Sequence, residues 1–234
     1  MNNIFYLLIS LLVVPQAFAQ LLIAPTRFVL DAEQASTEKV IVENTGETSI
    51  RLEIKPIYLP LNDEHSSRMN NDIKNIEDIA RYVQISPPII RKLKPNQRRT
   101  IRVRLAGLPE HFSEGEYRAY LHFAPTALAE APSIDSNENS SAFNLDIKIN
   151  SYIPIYVQKG TQKSAQQNKV KITCLDNKVK IENHSKFQFN AWLNTGETQE
   201  KLVLLRETML IKPLPANKQV SIQQGDNILK HCKF

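Results

Sequence analysis

Glycine is scarce in this chain, at 6 of 234 residues, and there are only 2 cysteines, 1 tryptophan and 3 methionines. With so few glycines, no Rossmann or Walker phosphate-binding pattern is present, and no G-x-S-x-G nucleophile elbow occurs either. The cysteines, Cys174 and Cys232, stand too far apart and too much alone for a CxxC redox centre or a zinc site. The histidines, at positions 65, 111, 122, 184 and 231, form no HxH or HExxH spacing. Scattered residues of this kind support neither a catalytic triad nor a metal centre, so no enzyme activity, no cofactor and no metal is expected. After the first twenty residues no apolar run approaches the roughly 20 residues that a membrane helix needs. Charged residues make up 23% and hydrophobic residues 42%, which excludes global disorder and leaves enough apolar sequence for one large core or two small ones.

What is present begins with an export signal. Residues 4–14 are almost unbroken apolar sequence, Pro15 ends the run, and Ala17-Phe18-Ala19 supplies a small-x-small cleavage pattern before Gln20. The n-region carries no Lys or Arg. Residues 1–19 therefore read as a signal peptide, and the mature protein is expected outside the cytoplasm. Export permits a disulfide between Cys174 and Cys232, worth about 4 kcal/mol in restricted chain entropy. The net charge is +5. Export makes nucleic acid an unsuitable partner and leaves acidic partners or membrane surfaces.

The rest of the chain reads as short strands. LLIAPTRFVLD is a strand interrupted by Pro25, and STEKVIVENTGETSIRLEIKP holds two β-rich runs around Asn44-Thr45-Gly46-Glu47, a hairpin signature. Residues 61–81 are polar and read as a long connection with little core content. Pro87-Pro88 breaks the next strand, Pro95-Asn96 marks a turn, and 100–105 alternates cleanly. Tyr117, Ala119, Leu121 and Phe123 share one face of EGEYRAYLHFAP. After a polar stretch at 124–141, Phe143, Leu145, Ile147 and Ile149 alternate with Asn144, Asp146, Lys148 and Asn150 in the sharpest period-two pattern of the chain. A Gln-rich stretch at 160–168 marks a boundary, and five further strand patterns follow. Many short strands and few helical periods predict an all-β protein of β-sandwiches. Residues 91–104 hold seven Lys or Arg and no acid. They read as the solvated face of a hairpin or as a surface for an acidic partner.

PTRFVLD, SPPIIRKLKPNQRRTIRV, GEYRAYLHFAP and LDIKINSYIPIYVQKG, in this order and spacing behind a signal peptide, resemble the PapD-like periplasmic pilus (fimbrial) assembly chaperones of the chaperone–usher pathway. The resemblance covers residues 22–160, and the remainder matches in length and strand content. It implies two immunoglobulin-like β-sandwich domains set at an angle: 20–160 as the N-terminal chaperone domain and 161–234 as a smaller C-terminal one. It further implies a non-enzymatic periplasmic chaperone that binds pilus subunits by donor-strand complementation and delivers them to an outer-membrane usher. The donor residues would be Leu145, Ile147 and Ile149, with Phe143 as a fourth. Arg27 falls at the family's carboxylate-anchoring arginine. Pro154 stands where typical members carry the anchoring lysine, which leaves Lys148 or Lys159 as substitutes. A self-capping dimer of the free protein is compatible with the family. The alternative class is a structural pilus subunit or adhesin, which should carry its own N-terminal donor extension, whereas the mature chain starts directly in the chaperone-like strand.

Overall fold

The computed structural model describes residues 21–34, 37–61, 66–69, 76–128, 148–196, 198–214 and 219–233. The signal peptide expected at 1–19 lies outside them, as do Phe143, Leu145 and Ile147. In chain order the strands are β1 (Leu21–Ala24), β2 (Phe28–Asp31), β3 (Thr37–Asn44), β4 (Ile50–Ile57), β5 (Ser66–Arg68), β6 (Val83–Ser86), β7 (Ile89–Leu93), β8 (Arg98–Leu105), β9 (Gly115–Ala127), β10 (Ser151–Lys159), β11 (Val170–Leu175), β12 (Lys178–Asn183), β13 (Phe189–Asn194), β14 (Gln199–Leu204), β15 (Thr208–Pro213), β16 (Gln219–Gln224) and β17 (Asn227–Lys233).

They build two sandwiches. The first faces a β1-β3-β8-β6 sheet against a β2-β10-β9-β4-β7 sheet. The period-two patterns decide the facing: Val40 and Val42, Ile101 and Val103, Leu52 and Ile54, Leu121 and Phe123, and Ile155 and Val157 all turn into one buried core. Each large side chain so buried contributes about 1.5–3 kcal/mol of transfer free energy. The interruption at Pro25 separates two strands in different sheets: β1 pairs antiparallel with β3, and β2 pairs parallel with β10. The second sandwich faces β11-β12-β15-β5 against β14-β13-β16-β17 around Val179, Ile181, Phe189, Leu193, Leu204 and Ile222. Cys174 on β11 and Cys232 on β17 are disulfide-bonded, which ties its two sheets together.

Two readings of the sequence change. The expected hairpin at 44–47 is an arch instead, because β3 and β4 belong to opposite sheets of the first sandwich. Asn44 explains the arch. It is fully buried, its Nδ2 donates to the carbonyls of Thr48 (2.8 Å) and Leu93 (2.9 Å), and its Oδ1 accepts from Gly46 N. Those bonds staple the turn across the sandwich edge, so both apolar runs enter the same core from opposite sides. The connection at 61–81 also carries more than expected. Ile79 is fully buried in the first core, and β5 leaves that sandwich to pair with β15 of the second (Thr208 opposite Arg68).

Candidate functional site

β10 is laddered to β9 along its whole length, from Ser151 opposite Phe123 to Lys159 opposite Gly115. On its other side β2 pairs only with Ile155 to Gln158. Residues 151–154 therefore have one paired edge among the described residues, and Pro154 sits in that stretch, where a strand proline is tolerated. The side of β10 that enters the core is formed by Ile153, Ile155 and Val157. Extending the same period toward the N-terminus reaches Ile149, which is 58% exposed. The core-facing series thus runs out of its own sandwich at Ile149, while the sequence continues the alternation through Ile147, Leu145 and Phe143.

The opposite side of β10 carries aromatic groups packed against charged ones. Tyr152 stacks on His122 (4.8 Å between centroids, 9° between planes), and Tyr156 stands opposite Arg118. The parallel register, Phe28 opposite Ile155, places Arg27 level with Pro154. The Arg27 guanidinium lies 4.5 Å over the Tyr156 ring, and its Nη2 donates to Gln188 Oε1 at 3.3 Å. Gln188 is buried, belongs to the second sandwich and donates from Nε2 to Asn190 Oδ1. Arg27 is thus held by one sandwich's tyrosine and the other's glutamine, yet it is exposed and keeps a planar fork of donors suited to a carboxylate. Burial pushes the Tyr156 hydroxyl pKa up, as does nearby Tyr120, so the tyrosine stays a neutral platform.

Neither lysine suggested by the sequence stands beside Arg27. Lys159 is five residues along β10 from Pro154, roughly 17 Å at the strand rise, and its Nζ donates to the Pro109 carbonyl at 3.4 Å. Lys148 is exposed and precedes β10 by three residues, on the far side of Ile149.

The structure also brings together residues that the sequence reading passed over. Glu77 Oε2 accepts from Arg118 Nε at 2.6 Å and pairs with Arg68 Nη2 at 2.8 Å, with Glu77 and Arg118 both buried. Burial opposes the charge on Arg118, but Glu77, Tyr120 and Tyr58 outweigh it and raise its pKa above the ordinary arginine value. No short-range signal marked this cluster, because its members come from the polar connection and from an outward-facing position of β9.

The two sandwiches meet at the start of β9. Glu116 N donates to the Lys186 carbonyl at 2.8 Å, and buried Arg206 donates from Nη1 to the Glu116 carbonyl at 3.2 Å while covering the Tyr117 ring. A Cβ on Gly115 would lie 3.1 Å from Arg206 Nη1 and 3.2 Å from Lys186 Cβ, so glycine is what allows this approach. The Glu116 carboxylate is also buried. Desolvation pushes its pKa up, against the opposing pull of Gln158, Arg27 and Arg206. A group whose pKa rises on folding binds its proton more tightly in the folded state. Its stabilising contribution is therefore fully present below the unfolded value near 4.5 and is lost as pH rises through the folded value. Glu116→Gln is expected to raise stability at pH 7 and to flatten the pH dependence above 4.5. Urea midpoints of the two proteins at pH 4.5 and pH 7 check this, and a variant less stable at pH 7 than the parent contradicts it.

Among the described residues no group of three or more His, Cys, Asp or Glu could hold a metal, and no helix is long and apolar enough to cross a membrane. No protein-family model and no curated protein sequence matches the chain. Its fold does match solved structures. The Salmonella enterica SafA pilin in complex with the SafB chaperone aligns at TM-score 0.57 and 14% identity, over 94% of this chain and 99% of that one. The E. coli chaperone DraB aligns at TM-score 0.55 and 17% identity, over 93% and 98%. The periplasmic chaperone SfaE aligns at TM-score 0.53 and 14% identity, over 91% and 98%. The chain therefore has the two-sandwich fold of the solved pilus chaperones along nearly its whole length.

Proposed function

We propose that this chain is a PapD-like periplasmic chaperone that captures pilus subunits by lending them a strand and passes them to an outer-membrane usher. The observation that carries the reading is the behaviour of β10. Its core-facing series leaves its own core at the 58% exposed Ile149, and the edge of 151–154 has no strand beside it among the described residues. An edge of this kind is a template for strand addition. A subunit sandwich lacking one strand exposes backbone donors and acceptors together with an apolar groove. Phe143, Leu145, Ile147 and Ile149 supply the alternate apolar side chains that such a groove needs, and a one-residue slip would turn all of them outward. Arg27 then anchors the subunit's C-terminal carboxylate. It acts from the junction of the sandwiches, with Tyr156 beneath its guanidinium and Gln188 beside it. Residues 20–160, apart from β5, which adds an edge strand to the second sandwich, form the domain that lends the strand, 161–234 form the rest of the smaller domain, and 1–19 direct export.

The test is co-purification of tagged protein from a periplasmic extract, comparing the parent with Arg27→Ala. A pilin-like subunit is expected to co-elute with the parent and to fall about tenfold or more in the variant, because a charge-assisted bidentate contact is worth roughly 1.5–3 kcal/mol. Absence of any subunit from the parent eluate overturns the chaperone reading. Equal recovery with Arg27→Ala overturns the anchor alone.

A further inference from the structure

The basic run at 91–104 divides when it folds. Arg91 and Lys92 go to β7, while Arg98 to Arg104 go to β8 in the opposite sheet. On the outward face of that sheet Arg102 and Arg104 are exposed, as is Lys39 on β3. The register places Lys39 directly opposite Arg102, and on the other side Arg102 and Arg104 face Ser86 and Gln84 of β6. Directly opposed like charges destabilise a sheet. Arg98, at one end of the face, is matched by Glu43 at 2.7 Å. Among the described residues Lys39, Arg102 and Arg104 have no ion-pair partner. The face thus retains a cluster of three cations that local packing disfavours.

We infer that this face is a second interaction surface, on the opposite sheet from β10, and that its occupant is an extended acidic segment of a partner protein. Arg102 and Arg104 stand two residues apart on β8, about 6.6 Å. That is also the same-side repeat of an extended peptide, so acids at alternate positions meet both arginines, and Lys39 lies one strand away. The apolar side chains beside the cluster, Leu22 and Ile41, lie on the sheet itself and not on a projecting loop. The surface accordingly suits a polypeptide laid across it better than a bilayer.

The full-length protein is titrated against a fluorescein-labelled Ser-Glu repeat decapeptide, with a Ser-Gln repeat as control, and anisotropy is read at low and moderate salt. The parent is expected to bind the Glu peptide, to ignore the Gln peptide and to weaken as salt rises. Arg102→Glu/Arg104→Glu is expected to weaken binding about tenfold or more. Arg91→Glu/Lys92→Glu, with the same change in net charge on the opposite sheet, is expected to leave it unchanged. Circular dichroism melts confirm that both variants fold. Equal loss in the two variants shows attraction to net charge alone and overturns the proposal. So does failure of the parent to bind, or capture by phosphatidylglycerol vesicles without the peptide. Subunit recovery should be the same in parent and Arg102→Glu/Arg104→Glu, so this surface and strand donation can fail separately.

Discussion

Replacing Ile147 by arginine is expected to abolish recovery of a co-expressed pilin-like subunit. Position 147 shares the parity of Ile153, Ile155 and Val157, which are core, and of Ile149, which has already left it. In a donated strand that parity points into the subunit's groove. A guanidinium forced there loses its water and finds no anion, a penalty of several kcal/mol, so recovery should fall by about a hundredfold or more. Asp146→Asn, one residue away, would face the opposite side of a donated strand by alternation and is expected to keep subunit binding. The measurement is subunit recovered per chaperone eluted. Equal recovery with Ile147→Arg, or equal loss at 146 and 147, would show that this stretch does not bind by alternate insertion, and the donor assignment would fall.

The second large effect is on stability. Glu77→Ala removes the carboxylate between Arg118 and Arg68 and leaves the buried Arg118 guanidinium without an anion. Breaking a buried pair from one side typically costs about 3–5 kcal/mol, a large share of a small domain's stability. Glu77 also sits between β5 and β9, since its own carbonyl accepts from Arg118 N at 2.9 Å. The loss should therefore loosen β5 from β15 as well as weaken the first core. Urea unfolding followed by circular dichroism, with hydrogen exchange at Met69, checks both parts, because the Met69 amide donates to the Glu207 carbonyl across that junction. A loss below about 1 kcal/mol would mean that water reaches Arg118 as soon as the carboxylate is gone.

The all-β class was legible because period-two alternation is local: Val40 and Val42, or Ile101 and Val103, declare a buried side without reference to any other strand. The break at Pro25 was legible for the same kind of reason, since proline restricts the chain where it stands. The turn at Asn44 was misread because Asn-Thr-Gly suits a hairpin and an arch equally. The choice rested on Leu93, a partner 49 residues away that takes the Asn44 side chain into the sandwich.

The same division runs through the candidate site. Alternation, the apolar series at 143–149 and a lone Arg27 after Pro25 are properties of short stretches, and residues alone determined them. Which side of Ile149 lies beyond the core, where β2 begins to cover β10, and that Arg27 rests on Tyr156 beside Gln188 depended on packing between distant segments. So did the pairing of Glu77 with two arginines and the cationic face on β8, where Lys39 comes from a strand about sixty residues earlier. Local pattern sets which side of a strand is apolar. Only the tertiary structure sets which charges share a desolvated space, because burial and proximity belong to the assembled sheets and not to any one of them.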